Sequence, residues 1–515
     1  MTTPLIMIKS SFRIVVFFAV LIAALSSCRN DFEFETASGN ELRFSKDTVY
    51  LDTIFTNIGS STYTLKVYNN SSNDIKIPEI KLNKGEQSGY RLMVDGQPGK
   101  SFQNVELLSK DSMFVFVETT VDITTQTAEN EFLYTDQLMF ANGSQSQSVE
   151  LVTLIKDAVF LYPQKDENGN TETLLFGDSE IEGFWLDEND AVNGNELHWT
   201  AEKPYVIYGY AAVPGGKTLQ VDAGAEVHFH ASSGLLVADQ AHLNISGTVD
   251  NPVVIQGDRL EPAYENVTGQ WDMIGLTVGS SANIENAIIK NANNGLWINK
   301  NDDVVNLHNV QIYNCADFGI MGVAANILGT NIVTNNCGKA GLGVNAGGDY
   351  TFVHATFANY WSRPNHTAVY LDNYDGSPEF ALKARFENSI IYSGSNEALT
   401  LSYTGNNEQN FDVKFVNTLV KFFDTNDVVY GQFPYEFENN NVFENCLIAR
   451  NHLTYRPFFA NYRNNQMMIT EEAVDLIGFG TNNTTVSVPQ DIVGNTRTTI
   501  DLGAYQHVSV PEEND

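Results

Sequence analysis

Basic side chains are scarce in this chain of 515 residues: 29 Lys and Arg stand against 63 Asp and Glu, for a formal charge of −34. That balance excludes the basic surface that nucleic-acid binding requires. It also excludes electrostatic attraction to anionic lipid. Proline is scarce as well, at 14 residues, so there is no Pro-rich stalk. Beyond residue 27 no segment is apolar for eighteen residues, the minimum for a spanning helix. What remains is ample for burial. The chain is 43 % hydrophobic and 18 % charged, which excludes global disorder, and its length implies two or three units.

Residues 1–27 carry Lys9 and Arg13 and then an apolar run from Ile14 to Leu25. A basic start and a short apolar run read as a secretory signal. The run ends in Leu25-Ser26-Ser27-Cys28, which resembles the bacterial lipobox. That resemblance implies cleavage before Cys28 and a diacylglyceryl group on its sulfur, so the membrane is the first expected partner. An ordinary signal peptide with a chance Cys is the alternative. Arg29 after the Cys implies outer-membrane sorting, and the acidic run Asp31, Glu33, Glu35 in residues 28–40 resembles the surface-export tether of Bacteroidetes lipoproteins. Of the other cysteines, Cys315 and Cys337 are 22 residues apart and could stack. Buried free thiols are preferred there to a disulfide.

From about residue 41 to 155 the pattern has period two, as in Thr48-Val-Tyr-Leu-Asp-Thr-Ile-Phe55 and Ser112-Met-Phe-Val-Phe-Val-Glu118. Turn signals such as Asp95-Gly-Gln-Pro-Gly99 separate the runs. The expectation is an antiparallel β-sandwich. The stretch resembles immunoglobulin-like domains of the Hydin type, which implies a spacer role. Residues 156–212 read as a connector and N-terminal cap. Within it, Asp166–Glu172 and Asp187–Asp190 gather oxygen ligands of the kind calcium uses. Polar turns are the preferred reading; a structural calcium is the one cofactor left open.

Over 213–450 a six-residue word recurs: apolar, any, Asn, small, any, apolar. Its third positions are Asn286, Asn309, Gly329, His354, Asn388, Asn417 and Asn445. A period of 20–30 residues with only short apolar words implies a solenoid. Asn and Gly tolerate a left-handed bend. Such a bend turns the flanking apolar residues inward, as between two strands of a right-handed single-stranded parallel β-helix, here of about ten coils. Residues 451–515 are expected to cap its open end. The strand-like words that come earlier, from Leu219-Gln-Val221 to Val253-Val-Ile255, with Gln256-Gly-Asp-Arg-Leu-Glu261 and Gly269-Gln-Trp271, resemble a group of Bacteroidetes right-handed β-helix lipoproteins of no established activity. The fold class expected is therefore all-β, a sandwich followed by a β-helix.

A second word, as in Gly295-Leu-Trp-Ile298 and Ala368-Val-Tyr-Leu371, sends its third position outward. That lines up Trp297, Met321, Gly343, Tyr370 and Thr400. With Asn299, Asn345 and Asp372 nearby, Trp297 and Tyr370 form the candidate ligand surface, since aromatic faces with amide partners suit sugar rings. Isolated surface aromatics are the bland alternative. A glycan or a surface protein is the expected ligand, and no nucleic acid. Right-handed β-helices include pectate lyases and polygalacturonases, so an enzyme is the competing expectation. Its best cluster is Arg363, His366, Asp372 and Asp375. His228 and His230 point the same way on one strand, as metal ligands can, but lack a third ligand and read as solvent-facing.

Overall fold

The computed structural model describes residues 34–37, 42–141, 145–177, 179–301, 303–374, 376, 380–405 and 408–509. Cys28 and the leader before it lie outside these residues. The chain divides into two compact units, Met1–Lys156 and Asp157–Asp515. Both are built from strands; the helices among the described residues are 3-10 turns of three residues.

In the first unit two sheets share one core. Thr48–Phe55, Ile75–Leu82, Glu131–Ala141 and Ser146–Lys156 belong to one; Tyr63–Asn69, Tyr90–Val94 and Ser112–Thr119 belong to the other. The two-residue period drives this. Val49, Leu51, Leu65, Val67, Val115 and Val117 are each 0 % exposed, while Tyr50, between Val49 and Leu51, and Phe114, next to Val115, face out. Each such burial stabilises by roughly 1.5–3 kcal/mol. Two pairings are not antiparallel: Thr48–Phe55 runs parallel to Ser146–Lys156, and Glu35–Thr36 parallel to Ile75–Leu82. Alternation fixes which face a strand buries, not the direction of its neighbour.

In the second unit a single sheet holds 26 strands. Apart from the hairpin Thr173–Phe176/Ser179–Trp185, its strand pairings are parallel. They assemble into three inward rows. One runs Tyr205, Val227, Ile255, Ile289, Ile312, Thr334, Phe357, Ile391, Val420, Ile448. A second runs Phe184, Ala211, Leu235, Ile274, Leu296, Ile320, Leu342, Val369, Leu399. The third runs Trp199, Val221, Ile245, Ile284, Leu307, Gly329, Phe352, Phe386, Phe415, Phe443. Side chains in such rows repeat at the strand spacing, about 4.8 Å, and they form one continuous core. Parallel pairing already begins at Val159–Leu161, inside the stretch expected as connector. Those early strands are too short and too aromatic to display the Asn word.

Gly329 belongs to the third row and not to the turns, which corrects the expected ladder. A Cβ there would stand 2.4 Å from the Phe352 ring. The missing side chain makes room for a phenylalanine stack, Phe352, Phe386, Phe415 and Phe443, with centroids 5.6, 5.1 and 4.9 Å apart. The turn of that layer is made by Asn331, at φ 52°. The sequence misled because Ile327 and Ile332 fit the word two residues out of register. The other positions are left-handed as expected: Asn286, Asn309, His354, Asn388, Asn417 and Asn445, with φ between 45° and 56°. A second, unforeseen left-handed ladder contains Asn314 and Asn336, whose Nδ2 donates to Asn314 Oδ1 at 2.8 Å.

The C-terminal stretch does not close the end of the sheet. It runs along the flank and supplies partners to the Asn turns: Gln490 O accepts from Asn331, Thr481 O from Asn388, Phe479 O from Asn417. At the end, Phe437 lies against Phe422 and Phe443, at 4.9 and 4.7 Å. Apolar core there is covered by a loop that carries no repeat word. Cys315 and Cys337 are register partners, both 0 % exposed, and both are free thiols.

Candidate functional site

The outward residues of the second word do form one column. Trp297 pairs with Met321, Met321 with Gly343, Gly343 with Tyr370 and Tyr370 with Thr400. They are not equally open. Met321 is buried at 7 % exposure. Gly343 lies under the Phe318 ring, 2.7 Å from where a Cβ would stand. Met321 and Phe318 thus interrupt the surface that was expected to connect Trp297 to Tyr370.

Beside Gly343 the surface sinks into a cavity of about 630 Å³. Phe318 and Tyr370 give it aromatic walls; Asn365, Asn396, Thr367, Thr400 and Ser395 give it amides and hydroxyls; Lys339, His366 and Glu397 give it titratable groups. Successive layers place these groups. Thr367 N donates to Lys339 O and Lys339 N to Asp317 O, so Lys339 and His366 each stand one residue before an inward-facing strand. Asn359, 0 % exposed, ties the layers by donating to Cys337 O at 2.8 Å and Thr367 O at 2.7 Å.

Each side chain is oriented from behind. The Tyr370 hydroxyl donates to Asp372 Oδ2 at 2.8 Å, and burial with that carboxylate pushes the phenol above its usual range. Lys339 Nζ sits 3.0 Å from Asp317 Oδ2 and 5.3 Å from the Phe318 centroid. His366 Nδ1 lies 2.7 Å from Arg363 O, so it carries the proton. That leaves Nε2 as an acceptor, buried and without a partner among the described residues. Burial and the neighbouring Asp424 push the Glu397 carboxyl above the usual carboxylate range.

Of the residues predicted for binding, Tyr370 lines this cavity; of those predicted for catalysis, His366 does. Trp297 lies two register steps short of Gly343 and is half-buried. Asn299 donates to Leu276 O at 3.3 Å, Asn345 pairs with Val323, and Asp372 serves Tyr370 from outside. The Arg363 side chain is exposed and contributes its carbonyl. Asp375 lies outside the described residues. Lys339, Asn396 and Glu397 lie just before the second word in layers other than that of His366, and no local pattern in the sequence joins them to it.

Elsewhere, Asp166 accepts from Asn168 N and Asn170 N at 2.8 and 2.9 Å, so this stretch forms a turn held by its own amides. His228 is buried, not solvent-facing, with Nδ1 3.1 Å from Gly257 O. Among the described residues no three His, Cys, Asp or Glu gather as metal ligands.

No protein-family model matches the chain, and no curated protein matches it. Among solved structures, one similar chain is a family 123 glycoside hydrolase from Clostridium perfringens, at 7 % identity and TM-score 0.15; the match covers 22 % of this chain and 26 % of that one. Another is the catalytic domain of a GH87 alpha-1,3-glucanase in complex with tetrasaccharides, at 10 % identity and TM-score 0.19, covering 69 % of this chain and 80 % of that one. These superpositions are loose and carry no assignment of activity to this chain.

Proposed function

We propose that the cavity at Tyr370 binds a sugar unit of a glycan, without turnover, on an exported lipoprotein. The observation that carries this reading is the pairing of aromatic walls, Phe318 and Tyr370, with a rim of amides and hydroxyls in one concave site. Sugar rings offer apolar C–H faces and hydroxyl edges, and this lining answers both. The unpartnered Nε2 of His366 supplies an acceptor for a ligand hydroxyl.

The three parallel rows support a right-handed parallel β-helix of about ten coils, and the shared core of the first unit supports an immunoglobulin-like sandwich. The protein is then similar to Bacteroidetes surface lipoproteins, anchored in the outer membrane through a diacylated Cys28 and facing outward. Palmitate labelling of cells carrying Cys28→Ala tests the anchor: undiminished incorporation ends it.

A polysaccharide lyase or glycoside hydrolase is the competing reading. The Glu397 carboxyl, raised in pKa by burial and Asp424 and sharing the cavity with His366, favours it, because a raised pKa suits a general acid. Two-carboxylate hydrolysis needs a second acid, and Glu397 is the one carboxylate among the described lining residues. A glycan array on the chain from Cys28 onward, followed by product analysis on the hits, decides between them. Retained, uncleaved glycan is expected; new reducing ends or unsaturated products select the enzyme.

A further inference from the structure

A second cavity, of about 610 Å³, lies on the flank where the C-terminal stretch crosses strands Ile390–Ser393 and Leu419–Lys421. Its walls are aromatic. Tyr360 stacks on Tyr462 at 4.2 Å and meets the edge of Phe459 at 6.1 Å, and Tyr392 closes one side. Lys421 lies in its floor.

Lys421 is 3 % exposed. Its Nζ donates to Ser393 O at 2.8 Å and sits 5.0 Å from the Tyr392 centroid. An ammonium has three N–H bonds to satisfy. Among the described residues the other two meet no acceptor, and no carboxylate pairs with the ammonium. Taking a charge out of water is costly unless it is paired. Arg456 enters from the C-terminal stretch, with its guanidinium 4.5 Å from the Phe458 centroid and likewise no carboxylate partner among the described residues. Glu472 is the one acid in the described lining. In a chain with 63 acidic and 29 basic residues, this local reversal of charge around an aromatic cavity is a specific feature.

We infer that this cavity binds an organic carboxylate carried on a flat apolar ring, with Lys421 and Arg456 taking the carboxylate and the tyrosine and phenylalanine walls taking the ring. Guanidinium and ammonium both form charge-assisted hydrogen bonds to carboxylate oxygens. A ring between Tyr392 and Phe459 replaces water against apolar surface. The site is separate from the Tyr370 cavity: the two linings share no residue.

The test uses the chain from Cys28 onward, with benzoate, benzyl alcohol and acetate as probes, and ligand-observed NMR titration as the readout. Benzoate should bind at least tenfold more tightly than either benzyl alcohol, which lacks the charge, or acetate, which lacks the ring. Arg456→Gln changes an exposed side chain and leaves the fold intact, so it carries the test even if Lys421→Met does not fold. It should weaken benzoate at least fivefold, and Tyr370→Ala should leave benzoate unchanged. Equal binding of benzyl alcohol removes the anion, equal binding of acetate removes the ring, and full affinity in Arg456→Gln removes the site. None of these outcomes bears on the glycan reading, which stands or falls at Tyr370.

Discussion

Asn309 donates from Nδ2 to Asn286 Oδ1 at 2.9 Å, and its own Oδ1 accepts from Asn331 Nδ2 at 2.8 Å. The Asn309 amide thus bridges the layer before it and the layer after it, while its backbone holds a left-handed φ of 55°. Conformation and hydrogen bonding are separable here. Asn309→Gly keeps the bend and loses both amide bonds. Asn309→Val loses both and also strains the backbone. Urea melts should show Asn309→Val less stable by roughly 2–4 kcal/mol and Asn309→Gly by about 1–2 kcal/mol. Equal losses would overturn the account of the turn.

Gly329 tests the third row. Its Cβ position is occupied by the Phe352 ring, with Ile332 Cγ1 at 3.0 Å behind it. Gly329→Ala should cost about 1–3 kcal/mol by overpacking. Shortening the obstructing ring should relieve part of that, so Gly329→Ala/Phe352→Leu should be less destabilised than the sum of the single changes. Strict additivity in a double-mutant cycle counts against the contact.

His354 gives a pH dependence with a definite sign. Its Nδ1 lies 3.2 Å from Gly503 O and its Nε2 accepts from Asn388 Nδ2 at 3.1 Å, which uses both nitrogens of the neutral ring. Burial, with the Arg497 charge behind it, lowers its pKa from 6.5 to about 3. The folded state therefore resists protonation that the unfolded chain accepts. The stability from this residue is fully present above pH 6.5 and falls away as pH drops from 6.5 towards 3. Each pH unit in that window is worth about 1.4 kcal/mol. Between pH 7.5 and 4.5 the wild type should lose roughly 2–3 kcal/mol more than His354→Asn, whose amide does not titrate. Parallel losses in the two proteins would remove His354 as the cause.

Tyr370 and Trp297 occupy one column but should not behave alike. Tyr370→Ala should weaken any glycan found on the array about five- to tenfold, on the order of 1 kcal/mol of stacking. Trp297→Ala, beyond buried Met321, should change binding by less than twofold. The reverse order in a titration would move the site up the column.

From Asn286 onward the repeat was legible because two chemical constraints recur from layer to layer: a residue that accepts the left-handed bend, and apolar residues placed to fill the row behind it. It failed at Gly329, where an inward side chain is missing and a neighbour's ring takes its place. A word search assigns glycine to a turn, because it scores conformation and cannot see who fills the vacancy. The cavity was half legible for a related reason. Tyr370 and His366 could be named from the residues near one word. Lys339, Asn396 and Glu397 converge on them only through stacking between layers 27 to 30 residues apart, and no local pattern encodes that convergence. The flanking path of the C-terminal stretch left no periodic trace at all. Several of the partners it offers are backbone carbonyls, which every residue has.

That path sets an order of events. The parallel rows join residues about 20 to 40 positions apart, so they can form as the chain lengthens. Gln490 O and Gly503 O reach Asn331 and His354 across 159 and 149 residues. Loop closure over such distances comes late. A chain cut short before Phe479 can therefore complete its rows yet leave the turn amides of Asn331, Asn388 and Asn417 without these partners. The stretch from Phe479 onward works as a clasp on rows that are already built. Damage to it should first register as faster amide exchange along one edge of an otherwise intact stack.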